Sequence, residues 1–395
     1  MGSMITLRLG RLEVDWGKNS FFINHSALFR SGDLAEADYF YEDDIVERKP
    51  AYVRKLRHVV PRLELLGFSL EGCRRAYEEE VRRIPASDSE LPIDFDTFRR
   101  ALQIVDVDRI RISEYEGNFD PGEFAQAVLR DPVFDDVLPA SLTRDGGIFL
   151  ENLNGYVILR LLAENPANLD RDLVWSIDDV VAGGWVEGDI FEPLADASRF
   201  LIVTEGSSDS VILRAALPLV APAVDDFFDF IDMRDNYPFT GTGNLVNFCK
   251  GLVAIRVQNK IVVVLDNDTA GQAAMQKLQR LRMPPNIRLV RLPDLESFRA
   301  FQTIGPSGRI EDDVNGRAVS IECFLDLAFG PKEERAVRWT SFNHEVGTYQ
   351  GELLAKEEYT KRFFEELNNG SYDLSKLHLL WSHILRACVT EAVPS

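Results

Sequence analysis

Two stretches of the chain end apolar runs on carboxylates. FLIVTEGSSDSVIL, residues 200–213, carries Glu205 and Asp209, and KIVVVLDNDTAG, residues 260–271, carries Asp266 and Asp268. Phe200–Thr204 and Ile261–Leu265 are short, rich in branched side chains and end abruptly, which is the pattern of buried parallel strands. In an open parallel sheet, ligands bind beyond the carboxyl ends of the strands, so both acidic clusters are expected at one edge. Four carboxylates gathered there repel one another unless cations lie between them. Oxygen-only donors of this kind suit magnesium, which keeps several waters and needs few protein ligands per ion.

The elements around these stretches alternate between strand and helix. A helix is expected from Ser210 toward Pro218, a strand over 227–233 (FFDFIDM), and a turn at TGTGN leading into a helix that reaches Ala254. After the acidic turn come a helix over Ala270–Arg282, stopped by Pro284 and Pro285, and a strand in NIRLVRL. This alternation predicts a doubly wound, largely parallel α/β sheet over 196–304. Residues 305–395 read as a mostly helical extension. The first half reads as a mostly helical domain over 1–195. It is expected to hold a strand pair in ITLRLGRLEVDW, two helices between Val46 and Arg83 with Pro61 near their junction, and a helix over Thr97–Val105 capped by Asp94 or Asp96. A further helix is expected from Pro121 through Arg130, and another in LNGYVILRLL that closes before Pro166. The segment AGGWVEGDIFEPLADASR reads as a linker.

A strand-end glutamate, followed about sixty residues later by a strand-end Asp-x-Asp, resembles a Toprim domain, and Glu205, Asp266 and Asp268 match that pattern. The second acid at Asp209 and the later pair Ser320 and Glu322 resemble the nuclease branch typified by the overcoming-lysogenization-defect proteins. That resemblance implies two Mg²⁺ ions, for which Mn²⁺ can substitute. Glu205 and Asp209 would serve mainly one ion and Asp266 and Asp268 the other, with Glu322, beside Ser320, completing a sphere. It also implies a catalytic lysine: Lys356 is the candidate, with Lys361 and Lys332 as alternatives. The opening MITLRLGRLEVDWGKN resembles the domain found in front of HEPN and Toprim modules in bacterial conflict proteins. Together these resemblances imply an antiphage or abortive-infection effector that cuts DNA or RNA. Its first half would sense a phage-derived trigger or a partner protein. No Gly-x-x-x-x-Gly-Lys-Ser/Thr stretch occurs, so an ATPase would have to come from a partner.

The net charge of −20 over 395 residues argues against a protein that coats nucleic acid by bulk attraction. Against that background Thr269–Pro293 stands out, with Lys277, Arg280, Arg282, Arg288 and Arg291 and no acid, as a candidate for backbone contacts. Asp225, Asp226, Asp229 and Asp232 read as a solvated strand edge. Cys73, Cys249, Cys323 and Cys388 are widely spaced and read as reduced, buried thiols of a cytoplasmic protein. No apolar run is long enough to cross a membrane, and a homodimer is the ordinary expectation for the assembly. Three rival readings remain: a Toprim module that transfers or polymerises strands, a non-catalytic module, and a metal-free HEPN-type ribonuclease using Arg338 and His344.

Overall fold

The computed structural model describes residues 2–10, 12–41, 45–83, 94–109, 152–231, 241–306, 308–328, 335–367 and 371–390. The expected helix from Pro121, Asp232 of the acidic group and Lys332 lie outside these residues. The chain divides into two compact units, Met1–Leu194 and Ala195–Ser395, and it is mixed α/β.

The first unit is built on a five-stranded antiparallel sheet in the order β2-β1-β5-β4-β3. Its strands are β1 (Met4–Leu9), β2 (Leu12–Lys18), β3 (Leu34–Phe40), β4 (Val46–Lys55) and β5 (Asp172–Ser176). Four helices, α1 (Leu56–Leu65), α2 (Leu70–Arg83), α3 (Phe95–Ile104) and α4 (Gly155–Leu162), contribute to one core with it. Trp175 on the central strand lies fully inside, against Phe29, Tyr52 and His25. Asp94 caps α3 by accepting from the Thr97 amide at 3.0 Å. A short helix, α5 (Asp178–Ala182), follows β5.

The sheet corrects the mostly helical reading of this half. Val46–Lys55 is a strand, not the start of a helix. Its charged residues Glu47, Arg48 and Lys49 pair with Tyr39, Asp38 and Ala37 of β3 in an exposed hairpin, where charge gives no helical signal. Pro61 sits inside α1, and the break between α1 and α2 falls at Gly67, whose φ of +102° needs glycine.

The second unit contains the expected parallel sheet, with strands β6 (Phe200–Thr204), β7 (Phe228–Phe230), β8 (Lys260–Leu265) and β10 (Ile287–Arg291) in the order β10-β8-β6-β7. Every pairing in it is parallel. The chain steps from β6 to β7 on one side and then returns to β8 on the other, so the topology reverses between β6 and β8. Helices α6 (Ser207–Val220), α7 (Thr242–Ala254) and α8 (Thr269–Gln279) make the connections. α7 and α8 share a core with Val203, Val263 and Leu265 of the sheet. On the other face Phe200 stacks on Phe228, which meets Trp381 of α10 (Ser375–Val389) edge to face.

Residues 305–395 depart from the helical expectation. A second sheet, in the order β12-β11-β14-β15, is formed by β11 (Phe301–Gly305), β12 (Gly308–Asp312), β14 (Val337–Asn343) and β15 (Thr348–Leu353). Only α9 (Lys356–Glu366) and α10 are α-helices here among the described residues. The strands escaped the sequence pattern because their outer positions are polar and exposed, so hydrophobic alternation is faint. A two-residue ladder between β9 (Asn267–Asp268) and β13 (Ala318–Val319) ties this extension to the acidic turn. All four cysteines are free and buried. No helix among the described residues is long and apolar enough to cross a membrane.

Candidate metal centre

Glu205 and Asp266 leave the carboxyl ends of β6 and β8, the two neighbouring strands where the topology reverses. Crevices at such points are where open α/β sheets hold ligands. The two ends are joined directly: the Asp266 amide donates to Glu205 Oε1 at 3.3 Å. Asp209, one turn into α6, is buried and accepts from the Gly206 amide at 3.0 Å, which turns its carboxylate back toward the strand end. Asp268 caps α8, accepting from the Gly271 amide at 2.7 Å.

The Thr-Ala-Gly after Asp-x-Asp has a steric reason. A Cβ on Gly271 would stand 2.1 Å from the Asp266 carbonyl oxygen, so α8 can start this close to the acidic turn only with glycine there.

The β9–β13 ladder delivers the fifth acid. Glu322 follows β13, is buried, and accepts from Ser320 Oγ at 2.6 Å. Lys356, the first residue of α9, places Nζ 3.9 Å from Glu322 Oε2. Lys361 lies on the same helix but is exposed and pairs with Glu365 at 3.7 Å.

The electrostatics record the crowding. Burial, then the neighbouring Asp268 charge, pushes Glu205 up to about 7. Burial, then Glu322, pushes Asp209 up to about 7. Asp266 is raised well above the carboxylate range by burial and by Asp209, Glu205, Asp268 and Glu322 together. Burial alone would depress the Lys356 ammonium, but the charges of Glu322 and Asp266 outweigh it and hold the pKa above the ordinary lysine value. As the side chains stand, no three His, Cys, Asp or Glu residues among those described form a ready coordination sphere. Two observations bear on what fits the crevice. Asp266 feels the charges of the other four acids, and Asp209 and Glu322 are buried. Mutually repelling, desolvated oxygen donors with one lysine at their edge are a donor set for hard cations.

The raised carboxyls make a pH prediction. Their ordinary values are 4.5 for Glu205 and 3.8 for Asp209, and both rise to about 7 in the fold. The folded chain therefore binds more protons than the unfolded one between these limits. The resulting stability is fully present below about pH 4 and is lost as pH rises through 7. In chelator, the melting temperature is expected to fall by roughly 6–12 °C between pH 5 and 8, and Glu205→Gln should flatten that slope. A slope unchanged in the variant would remove Glu205 from the crowded group.

The structure also supplies residues that the sequence did not single out. Gln350 on β15 donates through Nε2 to Asp268 Oδ2 at 2.6 Å, and its Oε1 accepts from the Thr269 amide at 3.0 Å and from the Thr269 hydroxyl. Asn343 Nδ2 reaches the same hydroxyl at 3.1 Å. The β14–β15 hairpin thus fixes the start of α8 and the orientation of Asp268. Thr242, at the start of α7, gives a hydroxyl hydrogen bond to Glu205. An isolated Gln or Asn more than 70 positions from the acidic turn, or a Thr in a glycine-flanked turn, carries no motif, so only the fold could reveal them.

The side chains of the basic stretch have separate surroundings. Lys277 pairs with Glu345 of the hairpin turn at 2.9 Å. Arg280 and Arg282 are exposed beyond the far end of α8, about 16 Å along its axis from Asp268. Arg288 on β10 caps carbonyls of Ala387 and Thr390 at the end of α10. Arg291 lies 3.7 Å from Asp294. Arg338 lies near the start of β14 and His344 directly after its end, in the hairpin turn. Asp229 on edge strand β7 is half exposed and paired with Arg199 at 3.1 Å.

Comparison with curated proteins and with solved structures returns no match. The family model described as HEPN/Toprim N-terminal domain 1 matches residues 1–199, half of the chain, and the protein belongs to that family.

Proposed function

We propose that the second unit is a Toprim-type nuclease of the overcoming-lysogenization-defect kind, cleaving DNA or RNA phosphodiesters with divalent metal. The observation that carries this reading is the gathering of Glu205, Asp209, Asp266, Asp268 and Glu322 about the switch point, where burial and the charges of their acidic neighbours raise Glu205, Asp209 and Asp266. Glu205 and Asp209 would hold mainly one ion and Asp266 and Asp268 the other, with Glu322, beside Ser320, completing one sphere. Two Mg²⁺ ions, or Mn²⁺ in their place, would when bound supply an activated water and neutralise charge on the scissile phosphate and leaving oxygen. The chain's own part is positional. Ser320 orients Glu322, Gln350 and the Gly271 amide orient Asp268, and the Asp266 amide orients Glu205. Lys356 presents a cation to a phosphate at the edge of the crevice.

Family membership of the first unit supports a nuclease-associated role. The first unit would then sense a phage-derived trigger or a partner protein in an antiphage or abortive-infection response.

The test is cleavage of supercoiled DNA, single-stranded DNA, total RNA and transfer RNA with Mg²⁺, Mn²⁺ or chelator. Cutting of at least one substrate with metal and of none in chelator is the expected result. Cleavage undiminished in chelator would overturn the reading, and metal binding without cleavage of any substrate would leave a non-catalytic module.

A further inference from the structure

A groove of about 850 Å³ runs beside the acidic crevice, between the first turns of α7, one side of α8 and the tip of the β14–β15 hairpin. It shares residues with the crevice: Thr242 bonds Glu205, and Gln350 bonds Asp268. Its polar lining includes the donors Asn247 and Lys250, beside Lys277 and Asn343, which are engaged with Glu345 and Thr269. Its one carboxylate, Glu345, is already paired with Lys277. At the tip, Phe342 and Tyr349 face each other across the hairpin with ring centres 5.2 Å apart, and His344 meets Phe342 at the same separation. Phe342 is 44% exposed and Tyr349 50%. The alternation of strand residues puts Gln350 and Asn343 on the hairpin face toward α8 and the aromatic pair on the other.

We infer that this groove and its aromatic tip bind single-stranded nucleic acid, leading it into the acidic crevice. The inference rests on the nuclease reading above and narrows its substrate class. Amide, hydroxyl and ammonium donors suit a phosphodiester backbone lying in the groove. A strand leaving over the hairpin tip meets exposed rings, on which any unpaired base can stack. A duplex keeps its bases stacked inside and gives the rings nothing to hold. Duplex binding also leans on many phosphate contacts, whereas Arg280, Arg282, Arg288 and Arg291 do not line the groove.

The test is fluorescence anisotropy of full-length protein in chelator with labelled dT12, labelled U12 RNA and a labelled blunt duplex, comparing wild type with Phe342→Ala/Tyr349→Ala. Both rings are half exposed, and an unchanged melting curve confirms that the variant folds. Wild type should bind a single strand more tightly than the duplex, and the variant should lose about 5- to 150-fold for each stacked base removed. The dT12 and U12 arms show whether DNA or RNA is preferred. Equal single-strand binding by variant and wild type, or no preference of wild type over the duplex, would overturn the inference. Cleavage assays separate the two readings. Metal-dependent cutting of single strands that is untouched in the variant discards the groove and keeps the nuclease. Ring-dependent binding without cutting on any substrate keeps the groove and discards the nuclease.

Discussion

Asp266→Asn is expected to reduce metal-dependent cleavage by on the order of 10³-fold or more while making the metal-free protein more stable. Asp266 stands at the centre of the crowded acids: Asp209, Glu205, Asp268 and Glu322 all raise its pKa, in addition to burial. At neutral pH the fold must either carry that carboxylate charged against its neighbours or take up a proton to silence it, and both cost stability. Asparagine keeps the shape and removes the charge, so the chelated variant should melt at a higher temperature than wild type. The same change removes the ligand on which the cations would depend, so added Mg²⁺ should stabilise wild type by mass action and the variant much less. The loss in rate exceeds that for one preorganised electrostatic donor, about 10²–10³-fold, because a whole coordination site is at stake. A variant that is destabilised in chelator, or that still cuts at the wild-type rate, would remove Asp266 from the centre of the site.

Lys356→Met should lower kcat by roughly 10²–10³-fold with little change in KM, the mark of an interaction made in the transition state. Local structure argues against a lysine at this position. It is the first residue of an 11-residue helix, where the macrodipole disfavours a cation. It also follows Ala355, which holds φ at +56°, a left-handed conformation that costs an L-residue about 1–2 kcal/mol. Such conflicts persist where the surroundings over-determine the geometry, as at functional sites. Here the surroundings are Glu322, 3.9 Å from the ammonium, and Asp266, both holding the charge in place. Lys361→Met is the control, since Lys361 is exposed on the same helix and pairs with Glu365; it should leave the rate unchanged. Equal loss in both variants would point to α9 packing and not to the charge of Lys356.

The parallel sheet was legible because its strands are buried on both faces and read as unbroken apolar runs, so Phe200–Thr204 and Ile261–Leu265 stand out against any background. The acids were legible because each run stops on them. The first unit was harder. Its central strand, Asp172–Ser176, is five residues long and sits between two helices, and β3 and β4 carry charged, exposed positions that imitate a helix surface. In the extension, β14 and β15 form a hairpin whose partners lie far away in sequence. The contact between Gln350 and Asp268 spans 82 positions, and nothing local to either residue announces it. The sequence therefore displayed the carboxylates and not the side chains that orient them. Composition likewise groups Lys277 with Arg288, whereas the fold sends one to the groove and the other to the end of α10.

The order of parts along the chain bears on the timing of biosynthesis. Glu205, Asp209, Asp266 and Asp268 all precede the β13 strand that brings in Glu322, and Lys356 follows later still. At translation rates of about 5–20 residues per second, on the order of ten seconds separate the appearance of Asp266 from that of Lys356. A nascent chain can close the parallel sheet and gather four acids while still lacking the lysine and the hairpin that orients Asp268. Under the nuclease reading, the ribosome and its messenger stay beside an unarmed intermediate until the last strand pair has docked.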